Sequence, residues 1–315
     1  TGVQTCALPI YLTVKIAVVG SYGVGMTMRF PKFPQAGETL MGGLFDAGPG
    51  GKGSNQAIGA ARLGAEVSFL TAIGPDDFGD AAQQLWKKEG VDSSAVVVGK
   101  RHTMVGFILV DADGENRIIV AAGALDELKS EDVEAFRPKI SEADILIVSM
   151  ELAFPAVLAA LRIGRQEGVR IILNPAPAAP LPDEAWSLFD VITPNRTEAP
   201  VLLNLPENHG LSPAQLIAAL RSRTKAHIVM TLGSEGCLID DGKETTSSPA
   251  IKATKVVDTT GAGDSFTSAL AVALAEGKDL HAAVHFASAS GAHCVGIAGV
   301  IDSLPWREDI ARKLA

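Results

Sequence analysis

The hydrophobic and polar positions of this chain follow two alternating patterns. Short runs rich in Val, Ile, Leu and Ala, typical of buried strands, occur at 15–20, 67–72, 145–148, 170–173, 191–193 and 227–232. Between these runs apolar residues recur at helical spacing, for example over 54–63, 80–89, 155–167 and 213–221. Strands that alternate with helices in this way predict a mainly parallel sheet with helices on both faces.

Two regions break this alternation. Residues 40–48 are rich in glycine with scattered apolar positions, and residues 103–120 have the pattern of two strands around a turn at Asp111-Ala112-Asp113-Gly114. We expect them to form a small antiparallel sheet that stands off the main body, as a β-lid built from segments of about 23–50 and 100–122. After Asp258 the chain is predicted to be largely helical.

Composition and charge narrow the class of partner. The 315 residues carry a formal net charge of −9 with no run of Lys or Arg, which argues against a nucleic-acid partner or an anionic membrane surface. No apolar run approaches the roughly 20 residues needed to cross a bilayer. The cysteines Cys6, Cys237 and Cys294 are isolated, which favours a reducing, cytoplasmic setting. A small-molecule partner is therefore expected.

The first residues of the chain differ from the rest. Residues 1–10 have no charge, no starting Met and no periodicity, and they resemble a translated sequencing-library adaptor. We expect residues 1–13 to be a non-native extension and residues 14–315 to form a single domain. A short native extension is the alternative.

The most informative motif is the turn Asp258-Thr259-Thr260-Gly261-Ala262-Gly263-Asp264. Its small residues leave backbone N–H groups unobstructed, and the predicted helix that follows adds the positive end of its dipole. An anion would be stabilised there, and Asp264 would be placed to take a proton from a hydroxyl group. The alternative interpretation is an ordinary glycine-rich helix N-terminus capped by an Asp.

A second glycine-rich turn, residues 48–57, also leads into a predicted helix. It matches G-x-G-x-x-G only superficially because no buried strand precedes it, so a nicotinamide-dependent oxidoreductase is a weak alternative. It is not a P-loop, since Lys52 is followed by Gly53 where a Ser or Thr is required. We interpret it as a polyol site, in which the N–H groups of Gly51 and Lys52 and the amide of Asn55 bind sugar hydroxyls.

Six motifs together resemble those of the ribokinase (PfkB) family of carbohydrate kinases, and the resemblance spans residues 15–307. In chain order they are Gly50-Gly51-Lys52-Gly53-Ser54-Asn55 with Ala61-Arg62-Leu63-Gly64, Gly74-Pro75-Asp76-Asp77-Phe78-Gly79, Asn174-Pro175-Ala176-Pro177, Thr193-Pro194-Asn195-Arg196-Thr197-Glu198, Thr231-Leu232-Gly233-Ser234-Glu235-Gly236 and Asp258-Thr259-Thr260-Gly261-Ala262-Gly263-Asp264. The resemblance implies a ribokinase-like three-layer α/β/α sandwich with a mainly parallel sheet and a small antiparallel β-lid.

The resemblance also implies a reaction. It identifies the chain as an ATP-dependent sugar kinase, with conversion of D-ribose to D-ribose 5-phosphate as the leading activity. Asp264 is then the general base, and Gly261, Ala262 and Gly263 form the anion hole for the transferring phosphoryl group. The implied sugar-binding residues are Gly23, Gly25, Gly51, Lys52, Gly53, Asn55, Glu151 and Asp264.

Cofactor sites follow from the same resemblance. The implied ATP-binding residues are Asn195, Thr231, Leu232, Gly233, Ser234, Gly236, Gly263 and Ser288, and Glu198 would hold Mg²⁺ through water. The alternative for Glu198 is a carboxylate in the first turn of a helix, which the dipole favours. A K⁺ site is implied at Asp258, Thr260, Cys294, Ile297, Gly299 and Ser303, and a homodimer through the β-lid is expected.

The chain departs from the family at two sugar-binding positions. Gly23 and Gly25 stand where related chains carry an Asn and an Asp that touch the sugar. Losing two polar partners changes the selectivity of a site that binds hydroxyls. A nucleoside, fructose or other ketose kinase therefore remains an alternative. A non-catalytic sugar-binding regulatory protein is a second one, against which the intact Asp264 and Gly261–Gly263 turn argue.

Overall fold

A computed structural model describes residues 13–315 of the chain, so the predicted extension lies outside the described residues except for Thr13. The strands are β1 (Lys15–Val19), β2 (Gly23–Arg29), β3 (Leu44–Gly50), β4 (Glu66–Leu70), β5 (Ala72–Ile73), β6 (Val91–Asp92), β7 (Val97–Val98), β8 (Val105–Val110), β9 (Asn116–Ala121), β10 (Ile145–Ser149), β11 (Arg170–Asn174), β12 (Val191–Ile192), β13 (His227–Thr231), β14 (Cys237–Asp240) and β15 (Thr245–Ser248). The helices are α1 (Lys52–Arg62), α2 (Asp77–Glu89), α3 (Ser130–Ala135), α4 (Arg137–Ser141), α5 (Phe154–Glu167), α6 (Glu198–Leu202), α7 (Pro213–Arg221), α8 (Ala262–Ala275), α9 (Leu280–Cys294), α10 (Val300–Ser303) and α11 (Arg307–Leu314).

A nine-stranded sheet forms the centre of the fold. Its strand order is β15-β14-β13-β12-β11-β10-β1-β4-β6, and all pairs are parallel except β13–β14 and β14–β15. In β1, Ile16 pairs with Ile145 of β10 on one side and with Val67 of β4 on the other. The predicted mainly parallel sheet is confirmed.

Helices cover both faces of this sheet. Successive strand residues point to opposite faces, so Ile16 and Val18 pack with Trp86 of α2 and Leu270 of α8, whereas Ala17 and Val19 join a second cluster. That second cluster contains helix residues such as Leu161 of α5 and Leu216 of α7. Two apolar cores, one on each face, produce the three-layer α/β/α arrangement.

The smaller sheet has the order β3-β2-β8-β9. Pairs β2–β3 and β8–β9 are antiparallel, and the central pair β2–β8 is parallel. The hairpin between β8 and β9 turns at Asp111–Gly114, as predicted, and Gly114 has a φ of 82° that favours glycine. The glycine-rich segment 40–48, which was expected to belong to this small sheet, contributes most of β3. All four strands fall within the predicted lid segments.

The lid exposes apolar side chains on both of its faces. Every residue of β9 is exposed, and Phe45, Ile118 and Ile119 are 61%, 58% and 64% exposed. Within residues 13–315, none of the helices combines the length and apolar character needed to cross a bilayer.

Candidate active site at the carboxyl edge of the sheet

Two helices begin at the edge where the parallel strands end. Gly51 precedes α1 with a φ of 88°, and Gly261 precedes α8 with a φ of 80°, values that strain any residue with a Cβ. A Cβ on Gly53 would lie 2.5 Å from the carbonyl carbon of Gly20, so the end of β1 and the start of α1 pack backbone against backbone. Glycine at these positions brings both helix N-termini to one place.

Asp264 lies in the first turn of α8 and is only 7% exposed. Its Oδ2 accepts a hydrogen bond from Asn55 Nδ2 at 2.8 Å, and its Oδ1 accepts one from Gln56 Nε2 at 3.1 Å. Burial raises the pKa of Asp264, and the charge of Glu151 adds to this, although the Lys52 charge and the two amide hydrogen bonds oppose it. A carboxylate with a raised pKa is a stronger base, so the environment suits proton abstraction.

A buried polar network supports this carboxylate. Gln56 Nε2 also donates to Asn174 Oδ1 at 3.0 Å, and Asn174 Nδ2 donates to Thr193 Oγ1 at 3.3 Å. The network joins α1, α8 and the ends of β11 and β12. Gln56 was not among the site residues predicted from the sequence. The only signal for it was its position next to Asn55, near the start of a helix of which that side is buried.

Lys52 and Glu151 form the neighbouring part of the site. Lys52 N donates to Glu151 Oε2 at 3.0 Å, and the Ser21 hydroxyl donates to the same oxygen. Burial alone would lower the pKa of the Lys52 ammonium, but the charges of Asp264, Glu151 and Glu198 outweigh it and raise that pKa. Lys52 therefore stays protonated among three carboxylates.

The polyol interpretation of this turn needs one adjustment. The N–H of Lys52 and the Nδ2 of Asn55, both expected to face a sugar, already have protein acceptors in Glu151 and Asp264. Asn55 Oδ1 is instead buried without a hydrogen-bond partner among the described residues. The free polar atom of Asn55 is thus an acceptor, which pairs with a hydroxyl donor.

The residues of the predicted anion hole differ in what surrounds them. A Cβ on Gly261 would lie 2.8 Å from Val300 Cγ1, whereas a Cβ on Gly263 would meet nothing within 4 Å. The N–H of Ala262 donates to the Thr259 carbonyl at 3.3 Å. Gly261 is therefore required by the backbone, and Gly263 faces open space at the positive end of α8.

The residues of the predicted K⁺ site are neighbours. Asp258 Oδ1 accepts from Thr260 N at 2.9 Å and its Oδ2 accepts from Gly299 N at 3.3 Å. Cys294 Sγ lies 3.0 Å from Ser303 Oγ and 3.7 Å from the Thr260 carbonyl oxygen, and Ile297 N donates to the Cys294 carbonyl at 3.2 Å. Burial raises the pKa of the Cys294 thiol to about 11, so it stays protonated.

Asn195 and Glu198 cap the start of α6. Asn195 Oδ1 accepts from the N–H groups of Thr197 and Glu198 at 2.8 and 2.9 Å, and Asn195 N donates to Glu198 Oε2 at 2.8 Å. Burial raises the pKa of Glu198, partly offset by this backbone hydrogen bond and by the Lys52 charge. Glu198 thus has the structural role considered for it, that of a carboxylate in the first turn of a helix. Its charge also helps to raise the pKa of Lys52, so Glu198 lies near the active site as well.

The predicted nucleotide segment follows β13. Thr231 ends this strand and forms a bridge with Asn195, while Leu232, Gly233, Ser234 and Gly236 form the tight turn into β14. A Cβ on Gly236 would lie 2.1 Å from the Ser248 carbonyl oxygen, and its φ is 92°, so only glycine fits there. Ser288 Oγ, on α9, is buried without a hydrogen-bond partner among the described residues.

The two glycines that depart from the family pattern have different surroundings. A Cβ on Gly23 would lie 2.4 Å from Met104 Cε and 2.8 Å from the Met104 carbonyl oxygen. On Gly25 it would lie 3.6 Å from Ile108 Cδ1, an ordinary contact. Met104 therefore occupies the space that a side chain at position 23 would need, and position 25 has room.

Comparison with known proteins identifies the family to which the chain belongs. The model of the pfkB family carbohydrate kinases matches residues 15–307. The chain belongs to this family. Its members are phosphotransferases that act on a hydroxyl group. Membership therefore confirms the resemblance and contradicts the alternative of a nicotinamide-dependent oxidoreductase.

Relatives cover nearly the whole chain. The ribokinase of Haemophilus influenzae is 35% identical over 298 residues, which are 93% of this chain and 96% of the relative. The ribokinase of Bacillus subtilis is 35% identical over 304 residues, 95% and 99% of the two chains. Among solved structures, the Thermotoga maritima ribokinase superposes with a TM-score of 0.85 at 34% identity, covering 96% of this chain and 99% of that one. The Arabidopsis thaliana ribokinase complexed with ribose and ATP gives 0.87 at 29% identity, with the same coverage. The ribokinase-like fold of this family member is confirmed.

Proposed function

We propose that the protein is an ATP-dependent ribokinase, which transfers the γ-phosphoryl group of ATP to D-ribose and yields D-ribose 5-phosphate and ADP. The observation that carries this is the buried Asp264 carboxylate, held by Asn55 and Gln56 beside an open helix N-terminus, in a chain whose relatives are named ribokinases. Residues 14–315 would form one kinase domain in the cytoplasm.

Asp264 acts as the general base. It takes the proton of the primary hydroxyl as that oxygen forms its bond to the γ-phosphorus and the bond from phosphorus to the ADP oxygen breaks. The amide hydrogen bonds fix both carboxylate oxygens, so the base is oriented before the sugar arrives. Lys52, protonated nearby, balances negative charge during transfer.

Backbone groups at the start of α8 stabilise the transferring group. Gly261, Ala262 and Gly263 form the anion hole, and the open space in front of Gly263 admits the phosphoryl oxygens. Phosphoryl transfer requires chiefly positioning and charge stabilisation, so a base, an anion hole and a nearby cation form a sufficient set.

The sugar lies against α1 and the end of β10. A hydroxyl of ribose donates to Asn55 Oδ1, which otherwise remains a buried, unpaired acceptor costing about 1–3 kcal/mol. Glu151 accepts from sugar hydroxyls, with the backbone of Gly51, Lys52 and Gly53 completing the contact. Gly23 and Gly25 contribute backbone only.

ATP binds along Asn195, the turn formed by Thr231, Leu232, Gly233, Ser234 and Gly236, and Gly263. Ser288, in α9, would lie beside the nucleotide. Glu198 fits Mg²⁺ because it is a half-buried carboxylate at this edge, and it would hold the ion through water. When bound, Mg²⁺ neutralises charge on the phosphates.

A K⁺ ion fits beside the anion hole. Asp258 supplies a carboxylate. Burial alone would raise the pKa of this carboxylate, but its hydrogen bonds from Thr260 and Gly299 outweigh burial and lower that pKa, so Asp258 remains ionised. The carbonyls of Thr260, Cys294, Ile297 and Gly299 and the hydroxyl of Ser303 are hard oxygen donors of the kind K⁺ accepts. The Cys294 thiol is protonated and contributes no charge.

The lid supports the expected homodimer. Its exposed apolar side chains, among them Phe45, Ile118 and Ile119, lie on a small sheet with a free edge at β9. Such surfaces are usually covered in a soluble protein. A second copy of the same lid would cover them by a two-fold arrangement.

The test is ATP consumption by the purified protein with D-ribose, 2-deoxyribose, fructose, other ketoses and nucleosides, each with KCl or with NaCl. We expect the highest kcat/KM with ribose and stimulation by K⁺. Turnover of a ketose or nucleoside without turnover of ribose would instead support the alternative kinases that Gly23 and Gly25 keep open. A silent panel, with ATP binding intact, would support the non-catalytic sugar-binding protein.

A further inference from the structure

One buried arginine takes no direct part in the proposed reaction. Arg62 ends α1, at the opposite end of that helix from Lys52 and Asn55. Its side chain is only 9% exposed, and that of its ion-pair partner Glu89, the last residue of α2, is 5% exposed. Within residues 13–315, no other ion pair has both side chains buried to this degree.

The guanidinium group of Arg62 joins three parts of the chain. Its Nε donates to Glu89 Oε2 and its Nη2 donates to Glu89 Oε1, both at 2.8 Å. Its Nη1 donates to two backbone carbonyls, that of Ile301 at 2.7 Å and that of Leu304 at 2.8 Å. The planar fork of an arginine can make all these hydrogen bonds at once, whereas the single ammonium group of a lysine cannot. Arg62 therefore ties residues 301–304 to α1 and α2.

The tied segment is the end of α10, a helix of four residues, Val300–Ser303. The last carbonyls of any helix lack partners within it, and a helix this short is not stable by itself. Leu304 N donates to the Ile301 carbonyl at 3.3 Å, but the next residue, Pro305, has no N–H to donate. The Arg62 side chain supplies hydrogen-bond donors to this end of α10 and so fixes its position.

The other end of α10 supports the turn that carries the proposed anion hole. Val300 packs against Gly261, with its Cγ1 atom 2.8 Å from the place that a Cβ on Gly261 would take. The N–H of Gly299, the residue before α10, donates to Asp258 Oδ2 at 3.3 Å. These two contacts hold the first and fourth residues of the turn 258–264. A continuous series of contacts thus leads from Arg62 through α10 to this turn.

We propose that Arg62 is a positioning residue for phosphoryl transfer. It fixes α10, and α10 holds the backbone N–H groups of residues 261–263 where they meet the transferring group. This inference rests on the proposed function, which assigns the anion hole to that turn. N–H groups stabilise developing charge only while they are correctly oriented, so a small shift of the turn lowers the rate. Stability alone does not explain the pair of Arg62 and Glu89, because replacing a buried ion pair by apolar side chains is often neutral for folding.

Steady-state kinetics of Arg62→Lys with ATP and D-ribose test this proposal. Lysine keeps the charge but cannot bind Glu89 and both carbonyls together, so kcat should fall by about tenfold or more. The KM for ribose should stay within about threefold, because the proposed sugar contacts of α1 lie at its other end.

Arg307→Lys is the matched control. Arg307 also binds one carboxylate, that of Glu276, and one backbone carbonyl, that of Leu63. Glu276, however, follows the last residue of α8, about 20 Å from the start of that helix. The kcat of Arg307→Lys should therefore change by less than about twofold. Equal loss of kcat in Arg62→Lys and Arg307→Lys would overturn the proposal.

Two further variants keep the proposal testable if Arg62→Lys folds poorly. The double variant Arg62→Met, Glu89→Met leaves no unpaired charge in the core, so it should fold and still lose kcat. Val300→Ala removes the methyl groups that pack against Gly261. If Arg62 acts through Val300, the combined effect of Arg62→Lys and Val300→Ala on kcat should be smaller than the product of the two separate effects. Fully multiplicative effects, or a double variant with unchanged kcat, would contradict this route.

Hydrogen exchange separates this proposal from the assignment of the reaction. It is measured by mass spectrometry on the protein without substrate, so it requires no turnover. The amides of residues 258–264 should exchange at least about threefold faster in Arg62→Lys than in the unchanged protein, and no faster in Arg307→Lys. This result would support the positioning role of Arg62 even if the unchanged protein did not phosphorylate ribose, which would contradict the ribokinase assignment. Unchanged exchange of residues 258–264 in Arg62→Lys would overturn the positioning role whatever the protein phosphorylates.

Discussion

The carboxyl edge of the main sheet and the lid place their polar and apolar side chains in opposite ways. At the edge, Asp264 and Asn174 are buried and each accepts a hydrogen bond from the buried Gln56 amide. In the lid, apolar side chains such as Ile118 and Ile119 are exposed. The edge is ordered within one chain, because hydrogen bonds among its buried polar groups hold Asp264 in position. The lid has the composition of a surface that another molecule covers. This difference predicts that changes at the edge alter chemistry, whereas changes in the lid alter assembly.

The largest effect is expected at the proposed base. Asp264→Asn removes the proton acceptor, so kcat should fall by roughly 100- to 10,000-fold. Binding of the ATP analogue, measured by calorimetry, should change little, because the predicted nucleotide contacts lie on other residues. Turnover that survived this change would contradict the proposed role.

Substitutions at Gly261 and Gly263 distinguish a glycine that the backbone conformation requires from one that the bound phosphoryl group requires. Gly261→Ala should lower both activity and melting temperature, because the φ of 80° and the contact with Val300 leave no room for a methyl group. Gly263→Ala should keep the melting temperature yet lower kcat/KM by about tenfold or more, since its methyl group enters the open space assigned to phosphoryl oxygens.

Thermal unfolding and kinetics on both variants make the measurement. Gly277→Ala is the matched control, because Gly277 also has a positive φ, of 84°, but lies at the far end of α8 with open space around it. It should lose some stability and keep kcat/KM. Full activity of Gly263→Ala would argue against an anion hole at this turn.

The pH dependence tests the network behind Asp264. Burial raises the pKa of Asp264, and Asp264 must be ionised to act as the base. As pH is lowered, kcat/KM should therefore begin to fall at a higher pH than it would with an aspartate of ordinary pKa. Gln56→Glu replaces a hydrogen-bond donor with a like charge and should move this limb upward by about one pH unit.

Gln56→Leu provides the comparison for that variant. It removes the donor without adding charge, so the limb should move upward by less, while kcat falls because the carboxylate is less well oriented. Lower stability with an unchanged pH profile in both variants would show that Gln56 supports only the fold.

The smallest effect on the chemistry, and the largest on assembly, is expected in the lid. Ile118 and Ile119 are neighbours in β9 and therefore point to opposite faces of the lid sheet. Changing each separately to Asp should shift the protein from dimer to monomer in the variant whose face is covered, as measured by sedimentation equilibrium. Because both side chains are exposed in one chain, the free energy of unfolding should change by only about 0.5 kcal/mol.

An exposed apolar residue outside the lid serves as control. Val256 is 70% exposed, and Val256→Asp should leave the oligomeric state unchanged. If the unchanged protein is a monomer, the proposal that the lid mediates dimerisation is wrong.

Much of the fold was predictable from the sequence because buried parallel strands are continuous apolar runs. Residues 15–20 and 145–148, for example, correspond to β1 and β10. Strands β14 and β15 were not predicted. Thr245–Ser248 is polar throughout, as an edge strand can be, and its pairing is set by its neighbour rather than by its own pattern.

The site was predictable only where local sequence shows the chemistry. Asp264 and Asn55 follow glycine turns, and their positions alone suggested a base and a sugar contact. Gln56 was missed because nothing local distinguishes a glutamine that faces solvent from one that bridges Asp264 and Asn174 across three elements. Its role depends on how α1 packs against α8. The pairing of Lys52 N with Glu151 is likewise a contact between distant segments.

The crowding of Gly23 by Met104 also constrains how this protein can evolve. A larger residue at position 23 collides both with the Met104 side chain and with the Met104 backbone carbonyl oxygen, so it requires a smaller residue at position 104 together with a shift of the backbone. Screens that change single positions would record asparagine at 23 as damaging and discard it. A library that varies positions 23 and 104 together with their neighbouring backbone segments would test sugar preferences that a screen of single substitutions misses.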